Sequence, residues 1–508
     1  MAERRGLVLG ARIASGTVAA GIAVAAIAAV ALLPLPSSTA TPRTVEVTPA
    51  PADQVRVCPG AAVRLGDVSG ADADQAFVIG APTVEAAVAD GDLERSRLAS
   101  DDDTAAAAAA PEVLRVPPPE DALVGGAQTQ DVDAPDFRGL AAEACAEPTG
   151  SAWLVGGATT VGRSTFLVLA NPTEVDARVT LQIFGEEGPV SAPGLAGILV
   201  PAGAQRVLSL AGFAPGLSSP VVHVTARGGR VVASLQQSIV RGLDAVGVES
   251  IGAGADPATA LVVPGVRLVD TVGTTRATAL VDWQDVVPVV RLGVPGDADG
   301  TVTVRVVPEG GDAIGTSFEL AVAAGEVADV PLDAAVEEGA HAPDEEGAGE
   351  EHAHGLVDGV YTVFVDADVP VVAAVRASTA ADVPTATSDI DTLATAPPSD
   401  LAWFAAAPAL DGGAVLAVPP GPAPLVSIAN PTAETVEVEL APLGGGDPVL
   451  VTVPAGGAAT LGVAPGSYRL GGSEGLAVAV SYAAVGRLAS FTLAPDRPVA
   501  GAVVVHPD

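Results

Sequence analysis

The sequence contains no lysine, so all 24 of its basic side chains are arginines. Without lysine the chain cannot form a Schiff base, use a lysine as a general base or hold a nucleotide phosphate with a Walker-type lysine. Asparagine occurs only at Asn171 and Asn430, and cysteine only at Cys58 and Cys145. The missing lysine therefore excludes several classes of enzyme before any motif is considered.

Aromatic residues are also scarce, at 3% of the chain, whereas apolar residues make up 49% and charged residues only 17%. The cores must therefore be built mainly from valine, alanine and leucine, a mixture that suits β-strands with small side chains. A chain of 508 residues is long enough for roughly three domains, each with its own core. We expect several domains rather than one.

Basic residues are also far outnumbered by acidic residues. The formal net charge is -37 and the sequence pI is near 4.2. Such a chain repels the phosphates of nucleic acid and an anionic lipid surface. We therefore exclude nucleic acid as a partner.

One long apolar run is present near the N-terminus. Residues 13–33 read IASGTVAAGIAVAAIAAVALL and carry no charge, and a helix of about 21 residues rises about 31 Å, which matches the hydrocarbon core of a bilayer. Arg4, Arg5 and Arg12 precede the run, while only Arg43 follows closely. The positive-inside rule then predicts a cytoplasmic N-terminus and an exported remainder.

A cleaved signal peptide is the alternative interpretation, since Ser38 and Ala40 offer small residues at a plausible cleavage point. The apolar run is longer than the usual signal-peptide core of about 7 to 15 residues, which favours a retained anchor. Either outcome exports the rest of the chain. In an exported protein, the pair Cys58 and Cys145 predicts one disulfide.

After residue 150 the chain repeats a set of three phrases. The first copy reads FLVLANPTEVDARVTLQIFGEEG, then LVPAGAQRVLSL, then VVHVTARGGRVVASLQQS, and the last reads LVSIANPTAETVEVELAPLGGG, then VTVPAGGAATLGV, then YRLGGSEGLAVAVSYAA. A more diverged middle copy begins VVRLGVPGDADGTVTVRVVPEGG. Aligning the copies at Pro172, Pro295 and Pro431 brings apolar residues into two columns. The first column contains Val179, Val302 and Val438, and the second, two positions later, contains Leu181, Val304 and Leu440. Their spacing of two predicts strands with one buried face.

Short alternating segments broken by glycine and proline are typical of immunoglobulin-like sandwiches. We therefore predict an all-β fold, with tandem immunoglobulin-like β-sandwich domains after one N-terminal transmembrane helix. The predicted divisions are a cytoplasmic tail (1–12), the anchor (13–33), a Pro/Ala/Asp-rich stalk with a partly ordered disulfide-linked region (34–150), and three sandwiches (151–262, 263–398 with an acidic insertion, and 399–508).

The three tryptophans, Trp153, Trp283 and Trp403, each lie upstream of one copy's aligned proline. We predict one tryptophan in each sandwich core; the alternative is an exposed platform for sugar rings, which the scarcity of other aromatic residues disfavours.

Both asparagines lie in the tetrapeptide Ala-Asn-Pro-Thr. Their side chains can hydrogen-bond the backbone two residues further on, so Asn171-Pro172 and Asn430-Pro431 predict structural Asx-turns at strand ends. Because proline follows each asparagine directly, neither is a glycosylation site.

The middle copy carries an insertion, residues 337–355, that reads EEGAHAPDEEGAGEEHAHG. His341, His352 and His354, with neighbouring glutamates, are weak candidates for binding a divalent cation such as zinc. The spacing matches no closed structural site, and the composition is that of a solvated loop. We predict no metal site and no cofactor. No nucleophile elbow, zinc-protease helix or framed carboxylate pair is present, so we predict no enzyme and no catalytic residue.

The phrases GLAAEACAEPTGSAWLVGGAT and FLVLANPTEVDARVTLQIFGEEG, after an apolar segment and a Cys-Pro-Gly at Cys58, resemble an uncharacterised family of actinobacterial membrane-anchored extracytoplasmic proteins, domain of unknown function 5719. The resemblance covers most of the chain. It implies location and architecture without supplying an activity, and it suggests partnership with envelope glycosyltransferases.

These observations predict a single-pass plasma-membrane protein whose bulk lies outside the cytoplasm. We expect a non-enzymatic scaffold or interaction module of the cell envelope, whose partners are the membrane and envelope proteins or cell-wall glycan. The alternatives are a glycan-binding module and an accessory subunit of an envelope glycosyltransferase.

Overall fold

The computed structural model describes residues 45–47, 53–65, 76–100, 109–117, 122–134, 137–281, 284–310, 315–333, 356–381, 398–495 and 503–505. The regular secondary structure of these residues is β-strand apart from one α-helix and two 3-10 turns, which confirms the all-β prediction. The predicted anchor, residues 13–33, lies outside the described residues. Within the described ranges, no helix has the length and apolar character needed to cross a bilayer.

The described residues fall into two compact units. The smaller unit contains two short strands, β1 (Val45–Val47) and β35 (Val503–Val505), which pair antiparallel. The larger unit, Pro51–Val499, contains everything described below.

Most of the described residues between 53 and 144 form strands, in the region where a stalk and a partly ordered disulfide-linked region were predicted (34–150). These strands are β2 (Gln54–Cys58), β3 (Ala62–Leu65), β4 (Ala76–Ile79), β5 (Thr83–Val88), β6 (Glu94–Arg97), β7 (Ala99–Ser100), β8 (Glu112–Val116), β9 (Val124–Ala134) and β10 (Phe137–Ala144). They build the sheets β2-β8-β6, β10-β9-β5 and β3-β4. The physical reason is burial, because valine and leucine of β2, β8 and β10 are removed from water in contact with the rest of the unit.

Buried glutamine side chains hold β3 and the residues just before it to β9 and to a later strand, Val232–Arg241. The Gln128 side chain accepts from the Gly60 N–H at 3.1 Å and donates to the Gly60 carbonyl at 2.7 Å. In the same way, Gln130 accepts from the Ala62 N–H at 2.8 Å and Gln236 accepts from the Val63 N–H at 2.7 Å. A glutamine side chain has a carbonyl and an NH₂ group, so it can accept from a backbone N–H and donate to a backbone carbonyl. These side chains therefore make the hydrogen bonds that a neighbouring strand would otherwise make.

Repeat 1, residues 151–251, consists of two facing sheets around one core. Its strands are β11 (Ser151–Val155), β12 (Arg163–Ala170), β13 (Ala177–Gly185), β14 (Gly188–Pro189), β15 (Ala196–Val200), β16 (Ala204–Ser209), β17 (Val221–Gly228), β18 (Val232–Arg241) and β19 (Asp244–Ile251), with a 3-10 turn at Leu210–Gly212. One sheet has the order β11-β17-β13, with β14 and β15 on β13, and the other has the order β19-β18-β12-β16-β7.

Repeat 2, residues 258–405, contains β20 (Ala258–Leu268), helix α1 (Thr271–Val281), a 3-10 turn (Gln284–Val286), β21 (Val289–Gly293), β22 (Gly300–Pro308), β23 (Thr316–Val322), β24 (Val327–Pro331), β25 (Gly359–Ala380) and β26 (Ser399–Ala405). The long strand β25 serves both sheets. Its first half pairs with β20 and β22, and its second half pairs with β21 and β26.

Two predicted boundaries therefore differ from the structure. The division at 262/263 falls inside β20, and the division at 398/399 removes β26 from the repeat whose sheet it completes. Both differences have one cause, since the first and last strands of repeat 2 lie outside the three phrases by which the copies were aligned.

Repeat 3, residues 414–492, contains β27 (Ala414–Val418), β28 (Leu425–Ala429), β29 (Val436–Pro442), β30 (Val449–Val453), β31 (Ala458–Gly462), β32 (Gly466–Gly471), β33 (Ala477–Ala484) and β34 (Arg487–Thr492). Its sheets have the orders β27-β32-β29-β30 and β31-β28-β33-β34.

The three repeats share one pairing scheme of eight strands. When the strands of each repeat are numbered one to eight along the chain, one sheet has the order 1-6-3-4. The other sheet has the order 8-7-2-5. Here β14 is left out, and the two halves of β25 count as the sixth and seventh strands. The aligned columns lie on the third strand and are buried in every repeat: Val179, Val302 and Val438, then Leu181, Val304 and Leu440.

Candidate functional site

The last strands of the three repeats meet around β10. Strands β19, β26 and β34 are equivalent in the pairing scheme, and each of them contacts β10. We call this place the junction. It joins the N-terminal hairpin β9–β10 to all three repeats within one unit.

A single buried carboxylate connects the four strands of the junction. Asp400 on β26 is 2% exposed. Its Oδ2 accepts the N–H groups of Leu140 (2.8 Å) and Leu488 (3.1 Å), and its Oδ1 accepts those of Val248 (3.1 Å) and Leu401 (3.0 Å). Burial raises the pKa of Asp400 well above its ordinary value, although these four donors oppose the rise by stabilising the charged form.

Two further buried acids lie in the junction. Glu249 on β19 accepts the N–H of Ser250 at 2.8 Å, and burial followed by the nearby charge of Asp400 raises its pKa well above the usual range. Glu143 on β10 accepts a hydrogen bond from the Ser250 hydroxyl. Burial raises the pKa of Glu143 to about 8. A cavity of about 50 Å³ adjoins Glu143 and Arg56.

A buried arginine fixes repeat 1 to repeat 2. Arg291 on β21 is fully buried and makes a bidentate pair with Asp329 at 2.7 and 2.9 Å. Its remaining N–H groups donate to the carbonyls of Gly157, Ser218 and Pro220 in repeat 1. All five guanidinium donors are thus satisfied, as burial of an arginine requires. Although burial alone would raise the pKa of Asp329, Arg291 holds it below its ordinary value.

Trp403 completes this contact and corrects a prediction. Its ring lies 4.3 Å from the guanidinium carbon of Arg291, and its Nε1–H donates to Gln237 of repeat 1 at 2.7 Å. Trp403 was predicted in the core of the third sandwich. It lies instead on β26 of repeat 2 and faces repeat 1, since its neighbours Ala402 and Phe404 occupy the core of repeat 2. Trp283 lies outside the described residues.

The two cysteines form a disulfide in the structure. Cys58 at the end of β2 is bonded to Cys145, which directly follows β10. Both are buried beside Leu114. The bond therefore ties the first described sheet to the strand at the junction, and no free cysteine is present in the described part of the chain.

Both asparagines occupy the same turn in repeats 1 and 3. Asn171 accepts from the Thr173 N–H at 3.0 Å and donates to the carbonyls of Val175 (2.9 Å) and Val200 (3.1 Å). Asn430 makes the matching bonds to Thr432 (2.9 Å), to Glu434 (2.7 Å) and to Val453 (3.2 Å). Pro172 and Pro431 follow them in these turns, so the four residues serve the fold.

A polar surface lies on the outer face of the β11-β17-β13 sheet. Directly paired residues share a face, so the register defines its rows. The rows are Arg178 and Arg227; Thr180, Thr225 and Ser151; and Gln182, His223 and Trp153. We call these eight residues the polar strip. The row beyond them, Phe184, Val221 and Val155, is buried.

His223 is held in a fixed orientation at one end of the polar strip. Its Nε2 lies 2.9 Å from the Ser151 hydroxyl, and its Nδ1 lies 2.9 Å from Oε1 of Gln182. Because a carbonyl oxygen only accepts, Nδ1 carries the proton and Nε2 accepts from Ser151. Burial lowers the pKa of His223, and Asp256 partly offsets this effect. The neutral ring is therefore favoured.

Trp153 belongs to the hydrophobic cluster of repeat 1, although it lies in the same row as His223 on the outer face of its sheet. The two rings are parallel, with centroids 4.0 Å apart, and Trp153 is 8% exposed. A groove of about 760 Å³ begins here, between the strip and the segments 295–298 and 369–370 of repeat 2. The tryptophan forms the closed end of this groove.

No group of three or more metal-ligating side chains is present among the residues that the structure describes. The weak metal candidates His341, His352 and His354 lie outside these residues. Sequence reasoning missed Glu143, Glu249 and Asp400. The available signal was an isolated acid inside an apolar strand, as in LAAEACA, VGVESIG and SDLAWFA.

Residues 98–344 match the profile of a family described as a family of unknown function, DUF5719. This match confirms the resemblance to DUF5719 over these residues, which are just under half of the chain. No curated protein matches the chain. A solved structure, Thermotoga maritima 1070, aligns over 30% of this chain and 95% of its own length, with 10% identity and a TM-score of 0.18. So low a score carries no argument about fold or function.

Proposed function

Residues 98–344 match the model of a family of unknown function, DUF5719, and we propose that this chain is a non-enzymatic scaffold or interaction module of the cell envelope. An apolar helix at residues 13–33 holds it in the plasma membrane, and the strands lie outside the cytoplasm. Each repeat is an immunoglobulin-like sandwich. The shared pairing scheme of eight strands supports this last assignment.

The junction is the observation that carries the proposal. A scaffold has to hold its binding surfaces in fixed relative positions, and flexibly linked domains do not do so. Asp400 bonds strands of the hairpin and of all three repeats, and Arg291 bonds repeat 2 to three carbonyls of repeat 1. Such buried polar contacts specify one arrangement because any other leaves them unsatisfied.

The disulfide supports an oxidising compartment, where such bonds persist. Location can be tested by introducing one cysteine, because the native pair is bonded. We expect Leu243→Cys, at a side chain that is 93% exposed, to react with a membrane-impermeant maleimide in intact cells. Ala2→Cys, in the predicted cytoplasmic tail, serves as the control and should react only after lysis. The reverse pattern would contradict the proposed topology.

The scaffold role itself predicts a specific protein partner. We would place a photo-crosslinking amino acid at Leu243 in repeat 1 and at Leu450 in repeat 3, both exposed, in full-length chains in living cells. A discrete adduct with an envelope membrane protein from one position and not from the other supports the proposal. Retention of the protein on isolated cell wall, with no adduct from either position, would favour the glycan-binding alternative.

A further inference from the structure

The polar strip of repeat 1 has the composition of a ligand-binding surface. We propose that it binds an acidic polysaccharide, a sugar chain that carries carboxylate or phosphate groups. This inference goes beyond the proposed function, because it adds a sugar ligand to a chain whose proposed partner is an envelope protein.

The strip begins with two arginines that face each other. Arg178 and Arg227 are directly paired across β13 and β17, and both are exposed. Like charges in directly opposite positions repel each other. Neither arginine makes an ion pair or hydrogen bond to another residue in the described ranges. By contrast, Arg305 on the equivalent face of repeat 2 lies 3.6 Å from Asp366 and 4.8 Å from the Phe364 ring centroid.

The local charge permits an acidic ligand. Residues 151–251 contain six arginines and six acidic residues, so repeat 1 has a formal charge of zero in a chain of -37. None of the eight residues of the strip is acidic. Charges elsewhere on the surface are screened beyond about 8 Å at physiological ionic strength. Two guanidinium groups suit the spaced acidic groups of a polysaccharide, whereas the dense phosphates of nucleic acid require many basic contacts.

The rest of the strip suits sugar hydroxyls. The Thr180 hydroxyl can donate and accept, whereas the hydroxyls of Ser151 and Thr225, which donate to His223 and to the Thr180 carbonyl, can still accept. Two hydrogen bonds already fix the His223 ring. Binding a ligand at this end of the strip therefore costs the side chain little further conformational entropy. From His223 to Arg227 the strand rises about 13 Å, which is room for more than one sugar.

In the other two repeats, neighbouring strands cover the first strand of the equivalent face, whereas its third strand is exposed at Thr301 in repeat 2 and carries exposed acids, Glu437 and Glu439, in repeat 3. In repeat 3, a methyl group at Gly125 would lie 2.1 Å from the Val415 carbonyl oxygen, so β9 covers the equivalent face at β27. In repeat 2, a methyl group at Gly265 would lie 2.9 Å from the Ser427 side chain, so repeat 3 covers β20. The groove beside Trp153 continues the open face of repeat 1.

Calorimetric titration of the full-length chain in mild detergent tests the proposal. The probes are polygalacturonate for carboxylates, phosphomannan for phosphates, and dextran as an uncharged chain. We expect binding to at least one acidic polymer, with an affinity that falls as salt is raised. Arg178→Gln and Arg227→Gln should each weaken that binding about tenfold or more. Arg469→Gln, an exposed arginine of repeat 3, makes the same charge change and should leave affinity unchanged.

Which acidic polymer binds identifies the source of the acidic group. Equal binding to dextran, or equal loss of affinity in all three variants, would overturn the assignment of an acidic ligand to this strip. Absence of binding to all three polymers would overturn the inference as well. The protein adducts expected of a scaffold would be unaffected by that result, so the two proposals fail separately.

Discussion

Replacing Asp400 by asparagine should weaken the junction, because the carboxylate accepts hydrogen bonds from four strands. Only an ionised carboxylate can accept all four N–H groups that Asp400 receives, two on each oxygen. In Asp400→Asn, one oxygen becomes an NH₂ donor that faces two N–H donors. Those two buried groups then lack partners, and each costs about 1–3 kcal/mol. We therefore expect a loss of about 2–6 kcal/mol.

The assay is differential scanning calorimetry of the full-length protein at neutral pH. We expect Tm to fall by about 2–6 °C, because an unfolding entropy of about 2.1 cal/mol/K per residue makes 1 kcal/mol correspond to roughly 1 °C in a unit the size of Pro51–Val499. The single transition should also broaden or split, since Asp400 couples the hairpin to all three repeats. Asp447→Asn, at an exposed loop position, is the matched control. A Tm within about 1 °C of wild type for Asp400→Asn would refute the role assigned to this carboxylate.

Three further predictions concern stability. Burial raises the pKa of Glu143 from 4.5 to about 8. The protonated side chain therefore stabilises the folded state fully below about pH 4.5, and this stabilisation of about 5 kcal/mol is lost as the pH rises towards 8. Glu143→Gln should flatten the dependence of Tm on pH in this range, and an unchanged slope would contradict this expectation. Arg291→Met should destabilise the protein to urea by about 3–5 kcal/mol, whereas Arg305→Met, at an exposed pair, should cost about 1 kcal/mol or less. Replacing Cys58 and Cys145 together by serine should lower the unfolding free energy by about 4–5 kcal/mol, given their separation of 87 residues, and an equal Tm with and without reductant would contradict this.

The periodicity of the sequence predicted the strands but not the contacts between repeats. Val179, Val302 and Val438 alternate with polar residues, and this pattern alone indicates one buried face. Trp403 gave no comparable signal. Its alternation places it on the opposite face from Ala402 and Phe404, and only the position of repeat 1 explains why that face is also buried.

The N-terminal region was underestimated for a similar reason. Its proline, alanine and aspartate content favours a stalk, yet β10 is buried by three strands that come from distant parts of the sequence. Of the candidate site, Trp153 and the asparagines could be named in advance. The polar strip required the register of β13 against β17, since the arginines are 49 residues apart along the chain and directly opposite in the sheet.

The central claim is that the N-terminal hairpin and the three repeats unfold as one cooperative unit. Its most direct test is hydrogen–deuterium exchange of the peptide that covers β10, residues 137–144. We expect the β10 amides to exchange only through global unfolding, as slowly as the amides of the core strands of each repeat. Exchange of β10 within seconds, while the repeats stay protected, would contradict it.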